Sequence, residues 1–101
     1  MDIKDMQKEV DLWVKANNGY WAPLSQFARL VEEVGELGRI LNHVYGEKKK
    51  KPEESHTSTE EELGDVLFTA ICIANSNSID LESAYEKAIQ KYNIRDKDRF
   101  K

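Results

Sequence analysis

Two acidic pairs, each with its members three residues apart in a helical pattern, constrain this chain of 101 residues more than any other feature. The first is Glu33 and Glu36, within Arg29-Leu-Val-Glu-Glu-Val-Gly-Glu-Leu37; the second is Glu62 and Asp65, within Glu60-Glu-Glu-Leu-Gly-Asp-Val-Leu-Phe68. Residues three apart on a helix share a face about one turn apart, so each pair can present two carboxylates to one point. Two such helices side by side would converge four. Carboxylates crowded away from water repel and desolvate one another, and a hard divalent cation with all-oxygen coordination is their natural partner.

The apolar residues around the acids sharpen this expectation. At about 100° per residue, Leu63, Val66, Leu67, Phe68, Ala70, Ile71, Cys72, Ile73 and Ala74 cover nearly the whole circumference of the second acidic helix. Glu62, Asp65 and Thr69 share the one remaining polar stripe, about 60° wide on the same count. A helix that is apolar nearly all round is a buried helix, so the stripe is expected to be a polar seam inside a core. On the first acidic helix Glu33 falls within the apolar arc and Glu36 at its edge, while Glu32 and Arg39 point toward solvent. A solvated acidic face accounts well for Glu32, Glu53, Glu54, Glu60 and Glu61. It accounts poorly for the two pairs, because burying an unpaired carboxylate costs about several kcal/mol.

Size and charge set outer limits. The length predicts a single domain over 1–101. With 34% charged and 40% hydrophobic residues the chain is too apolar for disorder. A net charge of −4 argues against a general nucleic-acid binder, which would carry a basic face. No apolar run has the length of a membrane span or the form of a signal peptide. The lone Cys72 reads as a small core residue, and the chain as cytoplasmic with no membrane or nucleic-acid partner.

The periodicity predicts four helices. Ile3, Met6, Val10, Trp13 and Val14 mark an amphipathic helix from about Asp2 to Ala16, stopped by Asn17-Asn18-Gly19. Pro23 suits the first turn of a second helix, which Leu24, Phe27, Val31, Val34, Leu41 and Tyr45 carry to about Tyr45, where Gly46 closes it. A polar linker starting at Lys48-Lys49-Lys50-Lys51-Pro52 leads to a third helix. Thr59 with Glu62 has the form of a capping box, though that role competes with Glu62 as a ligand, so Thr57 with Glu60 is the alternative box. The third helix ends in Asn75-Ser76-Asn77-Ser78, and Asp80 caps a fourth carrying Leu81, Ala84, Tyr85, Ala88, Ile89 and Tyr92. Short loops argue for an all-α, four-helix bundle-like domain with the acidic helices as antiparallel neighbours. The third helix has more apolar surface than three companions can cover, which predicts a homo-oligomer, a dimer or tetramer built through its helices.

The pattern Glu32-Glu33-x-x-Glu36, then Glu62-x-x-Asp65 after a linker, resembles the EExxE…ExxD signature of the MazG-like nucleotide pyrophosphohydrolases, a family of the all-α nucleoside triphosphate pyrophosphatase superfamily. The context is similar too, in Tyr20-Trp-Ala-Pro-Leu24, Asn42-His-Val-Tyr-Gly-Glu-Lys48 and the tail Lys91-Tyr-Asn-Ile-Arg-Asp-Lys-Asp-Arg-Phe100. The likeness runs from about Val10 to the C-terminus and is to the short, stand-alone members. It implies hydrolysis of a nucleoside triphosphate, often a deoxy or non-standard one, to the monophosphate and pyrophosphate with Mg²⁺, for which Mn²⁺ can substitute. It implies Glu33, Glu36, Glu62 and Asp65 as metal ligands and Glu32 as a solvent-side acid. Glu33 and Glu36 are then the catalytic pair, with Glu36 the carboxylate expected to orient the attacking water. Lys91, Asn93 and Arg95 would hold phosphate oxygens; a frayed, charged C-terminus is the plain alternative.

For the base, Trp21, in a loop before Pro23, is the expected stacking residue, while Trp13 on its helix's apolar stripe reads as core. Asn17 and Asn18 could read base edges, but a turn explains them equally. His43 and His56 are not spaced to join either acidic pair and receive no role. Two other classes stay open: another pyrophosphatase of the superfamily, selective for phosphoribosyl-ATP or dUTP, and a non-catalytic helical module whose acids hold a structural cation or a basic partner.

Overall fold

The computed structural model describes residues 1–47 and 57–96, and all regular structure among them is helical. The order is α1 (Ile3–Ala16), α2 (Pro23–Tyr45), α3 (Thr59–Ser76) and α4 (Leu81–Arg95). Local chemistry explains most ends. Asp2 caps α1 in a reciprocal box with Asp5. Asn18 and Gly19 then take positive φ of 77° and 82°, a conformation these residues adopt at little cost. Pro23 opens α2, where its missing N–H costs no helical hydrogen bond. Asp80 caps α4 by accepting from the Glu82 N–H. At α3 neither Thr57 nor Thr59 is the cap: Ser58 is, its hydroxyl accepting from the Glu61 N–H. The competition foreseen for Glu62 therefore does not arise.

Helix α3 is the hub, packed along α2 on one side and α1 on another. Gln26 near the start of α2 bonds Ser76 at the end of α3, while Glu33, two turns on, meets Glu62 and Asp65 near α3's beginning. The two acidic helices thus run antiparallel, as expected. The core proper is Val10, Val14 and Ile71, with Ile3, Met6, Tyr20, Cys72 and Leu81 packed against it. Gln7 locks three helices at one end. Its amide donates to Asn75 Oδ1 and the Ile79 carbonyl, both at 2.9 Å, and accepts from the Leu81 N–H at 3.0 Å.

Among the described residues, closure into a bundle is incomplete within one chain. Helix α4 packs mainly on α1 and contributes no buried residue. The radius of gyration is 16.6 Å, where a compact domain of this length has about 13 Å. As expected of a helix with more apolar surface than its companions can cover, α3 buries Ile71 and Ala74 but leaves Leu63 51% and Leu67 45% exposed. The expectation that its polar stripe lies wholly inside a core is corrected, because Glu62 and Thr69 are buried and Asp65 is exposed. Two flanking helices cover only part of a cylinder, so an all-apolar helix in so small a chain keeps an open side. The linker with Lys48–Lys51, Glu53, Glu54 and His56, and the tail beyond Asp96, lie outside the described residues.

Candidate metal centre and the aromatic cavity beside it

Glu33, Glu62 and Asp65 each offer a carboxylate oxygen, and the three oxygens lie within 4.8 Å of one another. The helical spacing accounts for Glu62 and Asp65 pointing together, and the antiparallel pairing of α2 with α3 brings Glu33 to them. Glu33 and Glu62 are buried, 8% and 5% exposed, while Asp65 faces outward. Two carboxylates sunk in a helix interface beside a third form the all-oxygen donor set that a hard divalent cation accepts, with no sulfur or imidazole among the described residues of the group to favour a softer one. Glu36 is not in this group. It is half-exposed and pairs with Arg39 on its own helix, Nη1 to Oε2 3.7 Å. Glu32 is exposed.

Among the described residues, one cationic side chain is bonded to the group. Arg29, four residues before Glu33 and so one turn away, donates from Nε to Glu33 Oε1 at 2.6 Å. Its guanidinium carbon also sits 6.0 Å from the centre of the Trp21 ring, within cation–π range. Arg29 therefore touches Glu33 of the acidic group on one side and an aromatic wall on the other.

That wall belongs to a cavity of about 240 Å³ between the α1–α2 loop and α3. Trp13, Tyr20, Trp21 and Phe68 give it aromatic faces, and Val14, Asn17, Gly19, Gln26, Arg29, Thr69 and Cys72 its remaining sides. Gln26, buried, donates its amide to the Trp21 carbonyl at 2.6 Å and to Ser76 Oγ at 3.0 Å, pinning the loop to α3. The Tyr20 hydroxyl donates to Asp11 Oδ1 at 2.5 Å. Burial, then this bond, raises its pKa to about 12, and the same bond, with Lys15, lowers that of Asp11. Burial pushes the Cys72 thiol up. Thr69 bridges the two regions: it lines the cavity, and its hydroxyl donates to the Asp65 carbonyl at 2.9 Å.

Trp21 thus stands at the cavity expected of a stacking residue. Trp13, read as core, is instead 56% exposed and lines the same cavity, edge-on to Phe68 with ring centres 5.5 Å apart. The apolar stripe of α1 pointed to the core because Val10 and Val14 share it, but Trp13 lies at its margin, where α3 leaves a gap. Lys91, Asn93 and Arg95 are exposed on the last turns of α4, helical rather than frayed. Among the described residues, Lys91 lies against the Tyr92 ring, and Arg95 against that ring and Asp96. They are not brought to the acids. Arg29 and Gln26 were not singled out from sequence; the i,i+4 spacing of Arg29 and Glu33 was the available signal for the first.

A family model described as the MazG nucleotide pyrophosphohydrolase domain matches residues 22–100. The protein YpjD of Bacillus subtilis (strain 168) is 52% identical over 99 residues, spanning 97% of this chain and 89% of YpjD. A crystal structure of YpjD from Bacillus subtilis superposes with a TM-score of 0.83 at 50% identity, covering 92% of this chain and 96% of that one. A crystal structure of the Bacillus-conserved MazG protein, a nucleotide pyrophosphohydrolase, gives a TM-score of 0.80 at 52% identity, covering 97% and 96%.

Proposed function

Because this chain belongs to the MazG nucleotide pyrophosphohydrolases, we propose that it hydrolyses nucleoside triphosphates, deoxy or non-standard ones foremost, to the monophosphate and pyrophosphate with Mg²⁺. The observation that carries the reading is the pairing of the three-acid group with an aromatic cavity across a shared Arg29. An anhydride tied to a flat heterocycle needs both: a planar apolar slot for the ring, and a cation centre for the charge that develops on phosphate oxygens.

The residues then take these roles. Glu33, Glu62 and Asp65 would hold the divalent metal, which, when bound, supplies charge neutralisation at the phosphates. Glu36, one turn from Glu33, is the carboxylate that orients the attacking water and accepts its proton once it releases Arg39. It completes the metal set only if its side chain turns inward. Trp21, with Trp13 opposite the loop, stacks the base. Lys91, Asn93 and Arg95 hold the phosphate chain at the far end. Attack at the α-phosphorus splits the anhydride and releases pyrophosphate.

A second copy belongs to the same proposal. Leu24, Phe27, Val31 and Val34 along α2, with Leu63 and Leu67 of α3, are all at least 45% exposed, and contiguous apolar surface of this kind marks an interface. A homodimer or homotetramer would cover it, and a partner's α4 would supply the tail residues that one chain leaves away from the acids. No described helix is long and apolar enough to cross a membrane, and the cytoplasm, where the nucleotide pool lies, is the proposed location. A panel of nucleoside triphosphates and their deoxy analogues, read by pyrophosphate release with Mg²⁺ and with chelator, tests the reading. Release of inorganic phosphate from the γ end, or full turnover in chelator, would sink it.

A further inference from the structure

We propose that Arg29 is a substrate-positioning residue which a divalent metal displaces from Glu33 and so delivers to the nucleotide. The inference rests on the reading of Glu33, Glu62 and Asp65 as the metal centre. It begins from the position of one side chain. Arg29 is anchored on α2, one turn before Glu33, and its Nε takes Glu33 Oε1 at 2.6 Å. Glu33 has a second oxygen to offer a metal, but a guanidinium and a divalent ion on one carboxylate are like charges in close approach. A divalent ion held by the three acids would stand only a few ångströms from the guanidinium, since the oxygens lie within 4.8 Å of one another, and would repel it. Without the ion, Arg29 is the positive charge that makes a cluster of carboxylates tolerable.

Where the displaced side chain can go is also set by the geometry. Its side chain is 48% exposed, so once released from Glu33 it is bounded by solvent on one side and not by packed atoms all round. The Trp21 ring, 6.0 Å from the guanidinium carbon, offers an aromatic face, and the cavity that Arg29 lines opens beside it. A nucleotide with its base in that cavity and its phosphates at the metal must pass its ribose and first phosphate along Arg29. The forked donors of a guanidinium suit a phosphate oxygen. Metal loading and substrate capture are then coupled through one residue, and the metal-free enzyme does not offer the arginine to nucleotides.

Arg29→Gln separates this role from a structural one, because the two effects have opposite signs. Mn²⁺ binding, measured by the electron paramagnetic resonance signal of the free ion, should tighten about tenfold in Arg29→Gln, the scale expected when one positive charge is removed from beside a divalent ion in a partly exposed site. Arg29→Lys, which keeps the charge, should stay near the wild type. At saturating metal the KM for a nucleoside triphosphate should rise about tenfold in Arg29→Gln, the size of one lost charge-assisted hydrogen bond. Weaker Mn²⁺ binding would make Arg29 a clamp that holds Glu33 for the metal, and equal binding would make it a bystander; either overturns the proposal. If wild type and Arg29→Gln both fail to bind Mn²⁺, the metal-centre reading itself falls.

Discussion

Replacing Glu62 by glutamine should make the metal-free protein more stable and the metal useless to it. Glu62 is 5% exposed, with carboxylate oxygens of Glu33 and Asp65 within 4.8 Å. Two unit charges at that separation repel by about 3.5 kcal/mol at an effective dielectric of about 20. Arg29 offsets the charge on Glu33, and Asp65 is exposed and screened, so the net relief is smaller, about 1–2 kcal/mol. For a domain of this size that corresponds to a rise in Tm of about 5–10 °C. The amide is nearly isosteric and leaves the packing of α2 on α3 intact. Wild type should gain in the other direction: Mg²⁺ at about a hundred times its dissociation constant stabilises a folded site by about 2.7 kcal/mol, and Glu62→Gln should lose most of that gain. The assay is thermal unfolding followed by circular dichroism, at one fixed protein concentration, with chelator and with Mg²⁺. A metal-free Glu62→Gln protein that melts lower than wild type, together with a wild type indifferent to metal, would show that the acids serve the fold and not a cation.

Glu33→Gln and Asp65→Asn should each lower turnover by about two orders of magnitude or more, as expected when a ligand of a catalytic metal is lost, while circular dichroism shows the helices intact; a kcat within a few-fold of wild type would remove that residue from the centre. Sedimentation at micromolar concentration should give a dimer or larger species, and a clean monomer would mean that the exposed faces of α2 and α3 stay in water. Tyr20 should ionise near pH 12 in an ultraviolet titration, the phase being assigned by its loss in Tyr20→Phe. Because its folded pKa lies above the ordinary value of 10, the stability it contributes is complete below pH 10 and is lost as pH rises through about 12; a Tyr20 phase at the ordinary value would break the link to burial and Asp11. Arg95→Ala should raise KM for triphosphates severalfold and leave Mn²⁺ affinity unchanged, and unaltered kinetics would return the tail to a merely solvated role.

How much of this was readable in advance depends on how local the cause is. The four helices follow from periodicity and from end signals that act within one turn, such as Asp2 with Asp5, Pro23 and Asp80. The i,i+3 spacing placed Glu62 and Asp65 on one face, and the apolar surroundings of Glu33 foretold its burial. The choice among Thr57, Ser58 and Thr59 as cap of α3 was not legible, since all three carry the right hydroxyl and only the entry of the chain into the helix selects one. Tertiary packing alone decided the rest. Glu36 shares a face with Glu33 yet stays half-exposed, paired with Arg39 on its own helix and outside the three-acid group. Trp13 lines the cavity and not the core because α3 covers Val10 and Val14 but meets the indole only edge-on, through Phe68, and leaves it 56% exposed. Arg29 joins Glu33 to the aromatics because the α1–α2 loop folds back and lays Trp21 over a guanidinium that its own helix already holds on Glu33. Spacing along a chain states which side chains leave a helix together; what they meet depends on where the other helices lie, and that is set by the packing of the whole molecule.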